Sequence, residues 1–221
     1  MFMHERKRRA ERHRIAALAM IGLVAAAAAQ GPGMTPANLE IIVKFTNDSE
    51  PGRRIERLLS EGSQDLGGLA EAEAALEAST GVPLTRERIT SGREIVFSIP
   101  ERPLLETVQK EVARRADVES TSIETLQSDN PNLPAAELVV RFRESSDAFA
   151  ALSGSRDDGA QTLADAIANA SGVPLTGVAR GRGELALGVD RAALLASLSA
   201  RLNDRDDVDY AQPNATMQIM K

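Results

Sequence analysis

The sequence predicts an α+β protein made of two copies of one small module, each with its own antiparallel sheet. The segment Thr80–Thr85 recurs almost unchanged as Ser171–Thr176, 91 positions later, and self-similarity at a fixed shift is typical of a repeated structural unit. Within each copy, short alternating β-branched segments and apolar segments of helical spacing follow one another in the same order. Mixed elements in this order favour the α+β class.

Each copy is predicted to begin with a strand and a helix. The first strands are the β-branched segments 39–45 and 137–143. A polar loop follows each of them, about six residues longer in the first copy, and then an alanine-rich helix. This helix ends at Gly81 in one copy and at Gly172 in the other, because glycine readily adopts the left-handed conformation of a helix C-cap.

The rest of each copy is predicted as two strands, a helix and a last strand. Gly92 in one copy and the pair Gly181 and Gly183 in the other mark hairpin turns, and Asp190 is a predicted N-cap. The predicted hairpin strands are 85–90 with 94–99 and 176–180 with 184–189, the helices are Arg102–Ala113 and Arg191–Leu202, and the last strands are Val118–Ser120 and Val208–Tyr210.

Strand, helix, two strands, helix, strand is the order of the split βαβ or ferredoxin-like fold. In that fold a four-stranded antiparallel sheet carries both helices on one face and leaves the other face free. We therefore expect two tandem ferredoxin-like modules with antiparallel sheets. Because the aromatic content is only 3% and small modules bury little surface, we expect each copy alone to be marginally stable.

The N-terminal region has the layout of a secretory signal. Six basic side chains precede the uncharged apolar run Ile15–Ala29, which is shorter than the roughly 20 residues of a membrane-spanning helix. We expect cleavage after Ala29 and a secreted or periplasmic protein without a membrane anchor; an uncleaved anchor is the alternative. The predicted divisions are a signal peptide at 1–29, a leader at 30–37, a first module at 38–127, a linker at 128–136 and a second module at 137–221.

The composition argues against an enzyme. The chain has no cysteine, and its two histidines, His4 and His13, both lie in the predicted signal. Nucleophile systems based on histidine, and zinc sites based on histidine or cysteine, are therefore excluded from the mature chain. Without residues 1–29 the net charge is −10, which disfavours nucleic-acid binding. We predict no catalytic residues, no metal site and no cofactor, and we interpret the acidic residues at 204–209 as a solvated turn.

The end of the second copy resembles a known family. Four leucines at helical spacing precede the string Asp207-Val208-Asp209-Tyr210-Ala211-Gln212-Pro213-Asn214. This arrangement is similar to the C-terminal end of subtilisin-type propeptides, the peptidase inhibitor I9 family. The resemblance covers residues 137–221, and more loosely 39–127.

The resemblance implies a protein that binds a subtilisin-like serine protease. In that family the free sheet face docks on the protease and the tail lies in the active-site cleft as a substrate-like strand, a form of β-augmentation. With Met220 in the first specificity pocket, Met217 would occupy the fourth; with Lys221 there, Gln218 would. The implied protease-binding residues are Asp209, Tyr210, Pro213, Asn214, Met217, Gln218, Ile219, Met220 and Lys221.

Two departures from the family refine this expectation. Propeptides precede a catalytic domain, whereas no such domain follows Lys221 here, so the resemblance implies an inhibitor or a folding chaperone that acts in trans. The first copy has Ser120 and Ile123 where the second has Tyr210 and Pro213, which makes it the weaker candidate for binding. The alternative function is a ferredoxin-like interaction module of the cell envelope without a protease target.

Tyr210 itself permits two interpretations. It is either a protease-facing residue or a core-edge tyrosine that closes the last strand. Strand alternation predicts that Val208 and Tyr210 share one side of the strand, with Asp209 on the opposite side. There Asp209 either meets a helix N-terminus of the protease or is solvated.

Overall fold

The computed structural model describes residues 39–63, 65–126, 135–154 and 158–214. The predicted signal peptide, the leader and most of the linker lie outside these residues. The first copy contains β1 (Glu40–Phe45), α1 (Glu50–Ser60), a 3₁₀ helix (Leu66–Leu69), α2 (Ala70–Thr80), β2 (Thr85–Ile89), β3 (Glu94–Ser98), α3 (Glu101–Val112) and β4 (Val118–Thr125). The second copy contains β5 (Ala136–Phe142), α4 (Asp147–Gly154), α5 (Asp158–Ser171), β6 (Leu175–Gly181), β7 (Glu184–Val189), α6 (Arg191–Asn203) and β8 (Val208–Pro213).

The strands form two four-stranded antiparallel sheets, which confirms the predicted α+β class. Sheet A has the strand order β2-β3-β1-β8, and sheet B has the order β4-β5-β7-β6. Both orders are those of a ferredoxin-like sheet, in which the fourth strand lies beside the first. In each sheet, however, that fourth strand comes from the other copy.

The helix that precedes each last strand is exchanged together with it. Helix α6 packs on β8 and contacts α2 and β1 of the first copy, while α3 packs on β4 and contacts α5, β5 and β7 of the second. The Arg201 guanidinium donates to the carbonyl oxygen of Thr80 at 2.7 Å, and Arg205 donates to that of Ala75 at 3.3 Å. The exchanged segments are thus α3–β4 and α6–β8, so the sequence repeats and the packed units do not coincide.

The connection between β4 and β5 is short, which gives a physical reason for the exchange. Thr125 pairs with Ala136, and the Leu126 N–H donates to the Ala135 carbonyl at 2.9 Å, so β4 and β5 form an antiparallel hairpin. Strands adjacent in sequence pair readily because little chain must be ordered between them. Once β4 occupies the edge beside β5, the equivalent edge beside β1 is left for β8.

Both exchanged segments begin at one buried ion pair. Glu101, the first residue of α3, accepts from the Nε of Arg191, the first residue of α6, at 2.7 Å. The two side chains are only 5% and 10% exposed, respectively. The second carboxylate oxygen of Glu101 accepts from the Ala135 N–H at 2.8 Å. One carboxylate therefore joins both crossovers and the start of β5.

Several local predictions are confirmed. Gly81 and Gly172 have φ of 69° and 72°, the left-handed conformation expected after a helix. Asp190 caps α6 by accepting from the Ala193 N–H at 3.0 Å. The apolar faces predicted for the second helices are buried: Leu104, Leu105, Val108 and Val112 in α3, and Leu194, Leu195, Leu198 and Leu202 in α6.

The prediction of a polar loop after each first strand is wrong, because a helix lies there in both copies. In the first copy, the Ser49 side chain accepts from the Gly52 N–H and caps α1, which buries Ile55 and Leu58. In the second copy, the shorter α4 buries Leu152. Helix α1 is amphipathic and α4 is mostly apolar, so the signal for both helices was present in the sequence and was overlooked. Among the described residues, no helix has the length and apolarity needed to span a membrane.

Candidate protein-binding surface

Sheet A has one face that is packed on the core and one face whose side chains are partly exposed. On β1, Ile41 and Val43 are fully buried in the core, whereas the alternate residues Glu40, Ile42 and Lys44 are only half-buried. Ile42 lies opposite Val96 of β3, but Val96 is fully buried, so the apolar surface at this pair comes from Ile42. We call this surface the sheet A face.

A bulge in β8 determines which of its residues reach the sheet A face. Val208 pairs with the buried Phe45, but Tyr210 pairs with Lys44, so Asp209 is an extra residue between the two pairs. A bulge of this kind leaves two residues of one strand opposite one residue of the next. Tyr210 therefore lies on the face opposite Val208, which corrects the alternation predicted for this strand.

Tyr210 belongs to a polar cluster that we call the Tyr210 cluster, formed by Lys44, Glu94, Asp209 and Tyr210. The Tyr210 hydroxyl donates to the Glu94 carboxylate. The Lys44 ammonium lies 5.6 Å from the centre of the Tyr210 ring and 3.7 Å from an Asp209 oxygen. These contacts hold the Tyr210 ring at a fixed place on the sheet A face.

The protonation states of the cluster follow from its hydrogen bonds. The Thr90 hydroxyl, and after it the Tyr210 hydroxyl, lower the pKa of Glu94 because they stabilise the carboxylate. The pKa of Tyr210 is raised, mainly because its hydroxyl proton is bound by Glu94. Near neutral pH the cluster therefore contains an ionised acceptor and a protonated phenol. A phenol in this state can donate a hydrogen bond but is a poor nucleophile.

The last described residues fix the place where the C-terminal segment leaves the fold. Pro213 lies opposite Ile41. The Asn214 N–H donates to the Glu40 carbonyl at 3.0 Å, and the Asn214 side chain donates to the Glu40 carboxylate. Asn214 therefore lies at the edge of sheet A, beside the first residue of β1. The other predicted tail residues, Met217, Gln218, Ile219, Met220 and Lys221, lie outside the described residues.

Sheet B carries an equivalent cluster without the tyrosine. Arg141 and Glu184 form an ion pair at the positions that Lys44 and Glu94 occupy in sheet A. Ser120 lies opposite Arg141, where sheet A has Tyr210 opposite Lys44. A cleft of about 380 Å³ lies beside this pair and is lined by Glu119, Arg141, Phe142, Glu144, Phe149, Arg180, Gly181, Arg182 and Glu184. After β4 the chain continues into β5 of the same sheet.

The sequence prediction found part of this surface. The described site residues Asp209, Tyr210, Pro213 and Asn214 all lie on β8 or directly after it, at one edge of sheet A. Lys44, Glu94 and Glu40 were missed because they belong to the other copy. Their signal was available, since each is a charged residue at an alternate position of a strand, and Glu94 recurs as Glu184.

The described residues contain no group of three or more histidine, cysteine, aspartate or glutamate side chains suited to a metal ion. Comparisons with profiles of known protein families, with curated proteins and with solved structures found no match to this chain. Its function must therefore be inferred from its own residues.

Proposed function

We propose that this protein is an exported, stand-alone inhibitor or trans-acting folding chaperone of a subtilisin-like serine protease. The observation that carries the proposal is that β8 ends, at Pro213, beside the partly exposed face of sheet A. The Asn214–Glu40 contacts anchor the start of the tail, and the sheet A face lies next to it. A sheet face followed directly by the segment after the last strand is the arrangement that the propeptide resemblance implies.

Because of the strand exchange, the docking face next to the tail belongs mostly to the first copy. The tail comes from the second copy, but three of the four strands of sheet A come from the first. Lys44 and Glu94 of the first copy hold Tyr210 of the second. In this proposal the first copy supplies most of the docking face, and the binding site is formed by both copies together.

The proposed binding mode has two parts. The sheet A face docks on the protease surface, with Ile42 and the Tyr210 ring as apolar contacts and the charged residues around them. The tail then adds a strand to the edge of the protease cleft, where main-chain hydrogen bonds supply affinity and pockets select side chains. Placing Met220 in the first pocket puts Met217 in the fourth, whereas placing Lys221 there puts Gln218 in the fourth.

The test is inhibition of purified subtilisin-like enzymes by the chain that begins at residue 30. We expect a truncation after Asn214 to raise the inhibition constant by about a hundredfold or more, since a cleft-bound strand contributes several main-chain hydrogen bonds. Tyr210→Ser, which copies the residue of the first copy, should weaken inhibition less. Ser120→Ala on sheet B is the matched control and should leave inhibition unchanged.

Two outcomes would contradict the proposal. If the truncated chain inhibits as well as the full chain, the tail does not occupy the cleft. If no subtilisin-like enzyme is inhibited, and none refolds faster when the chain is present, the alternative of an envelope interaction module is favoured. Urea unfolding of each variant separates a loss of binding from a loss of fold.

A further inference from the structure

Strand β4 is an edge strand of sheet B, and within the described part of the chain nothing caps its outer main chain after Ser120. The Leu126 N–H bonds to Ala135, so by alternation Glu124, Ser122 and Ser120 exchange hydrogen bonds with β5. The residues between them, Thr121, Ile123 and Thr125, direct their N–H and C=O groups away from the sheet. All of β4 after Val118 is exposed or half-buried, and among the described residues no main-chain hydrogen bond joins these outward groups to another segment.

The equivalent strand β8 is protected at the same positions. Asn203 of α6 accepts from the Ala211 N–H at 2.7 Å and donates to the Ala211 carbonyl at 3.0 Å. Two residues further along, Pro213 has no N–H to offer. Both devices prevent another strand from pairing with this edge. Edge strand β6 is capped as well, since Gln161 accepts from the Gly177 N–H at 3.2 Å.

Neither device of β8 is present in β4. A shift of 90 positions places Ala113 at the position of Asn203, and Ile123 at the position of Pro213. Alanine cannot cap the main chain, and isoleucine keeps its N–H. Gln109 reaches the Thr121 hydroxyl at 3.3 Å but not its main chain. An edge strand with free main-chain groups is a template for pairing with another strand.

We propose that β4 pairs with β4 of a second copy of this chain, antiparallel and about a two-fold axis at Ile123. The outward main-chain groups of Thr121, Ile123 and Thr125 allow this register, which sets Ile123 opposite Ile123 and Thr121 opposite Thr125. A symmetric pair of this kind closes after two subunits. It would join two copies of sheet B into one continuous sheet.

The side chains of β4 favour this self-pairing. In the proposed register Glu124 lies opposite Ser122, so no two like charges are directly opposed. Ile123, which is half-buried against the core, meets its symmetry mate and buries further apolar surface. The inference does not depend on a protease, because it uses sheet B and not the sheet A face or the tail.

The test is the oligomeric state of the chain from residue 30, measured by sedimentation equilibrium over a range of concentrations. We expect a reversible dimer. Ala113→Asn introduces the main-chain cap that Asn203 provides on β8, and Ile123→Pro removes an N–H as Pro213 does on β8. Each substitution should raise the dimer dissociation constant by about tenfold or more. Ala116→Asn, the same substitution at a nearby exposed position, is the control and should leave the constant unchanged.

A cross-link tests the register. The chain has no cysteine, so Ile123→Cys introduces the single thiol, and oxidation should give a covalent dimer, whereas Glu87→Cys on β2 should not. A chain that stays monomeric at all concentrations overturns the proposal. It is also overturned if both edge variants dimerise like the wild type, or if truncation after Asn214 abolishes the dimer while Ala113→Asn does not.

Discussion

Replacement of Glu101 by alanine should destabilise the whole fold, because this carboxylate joins the two exchanged segments. Its oxygens accept from Arg191 at 2.7 Å and from the Ala135 N–H at 2.8 Å, and its side chain is 5% exposed. Removing one partner of a buried pair leaves an uncompensated charge and costs about 3–5 kcal/mol. We take the lower end, about 3 kcal/mol, since Arg191 keeps other contacts.

The expected loss is large enough to measure by two methods. In a chain of this length about 3 kcal/mol lowers Tm by roughly 6–12 °C, and urea unfolding followed by far-UV circular dichroism gives the free energy directly. Arg102→Ala is the control, because its pair with Glu106 is 60% and 48% exposed and should contribute under about 0.5 kcal/mol. The double variant Glu101→Leu with Arg191→Met should recover most of the loss. A loss below about 1 kcal/mol in Glu101→Ala would refute the role of this pair in holding the crossovers.

Three further predictions test the fold. Arg115 donates to Asp117 and lowers the pKa of Asp117 below its unfolded value, so this stabilisation is present above about pH 4 and is lost as the pH falls through the folded pKa. Asp117→Asn should cost at most about 1 kcal/mol of unfolding free energy at pH 7, because the pair is about a third exposed. A cost that persists at pH 2 would contradict this cause. Gly172→Ala should cost about 1–2 kcal/mol in urea unfolding, since φ is 72° there, and Gly172→Asn should cost less; equal costs would count against the backbone explanation. A chain cut once at an engineered protease site within residues 127–134 should elute from a size-exclusion column as one species in native buffer and as two fragments in urea. The reason is that each fragment contributes a strand to the sheet formed mostly by the other fragment. Separation of the fragments in native buffer would argue against the exchange.

All eight strands and the α-helices other than α1 and α4 could be predicted from the sequence, but the assignment of the strands to sheets could not. Gly81, Gly172 and Asp190 act locally, so their roles follow from residue type and position. The exchange of β4 and β8 depends on which of two equivalent edges each strand joins. Both copies have the same element order, so local patterns are satisfied equally by either pairing. The short connection after β4 favours its pairing with β5.

The candidate site shows the same division between local and long-range information. Tyr210, Pro213 and Asn214 could be identified because they lie in one short string. The contribution of Lys44 and Glu94 depends on contacts across more than 100 positions of the chain. The bulge at Asp209 was also missed, since alternation assumes an uninterrupted ladder and no glycine marks the irregularity.

The exchange of strands also sets the order in which the sheets can be completed during synthesis. Sheet B has all four of its strands once β7 has left the ribosome, because β4 was made earlier. Sheet A was begun first, yet its edge beside β1 stays empty until β8, near the end of the chain, has been made. Pairing over such a separation is slow compared with local pairing. A nascent chain therefore lacks the Tyr210 cluster until β8 has been made.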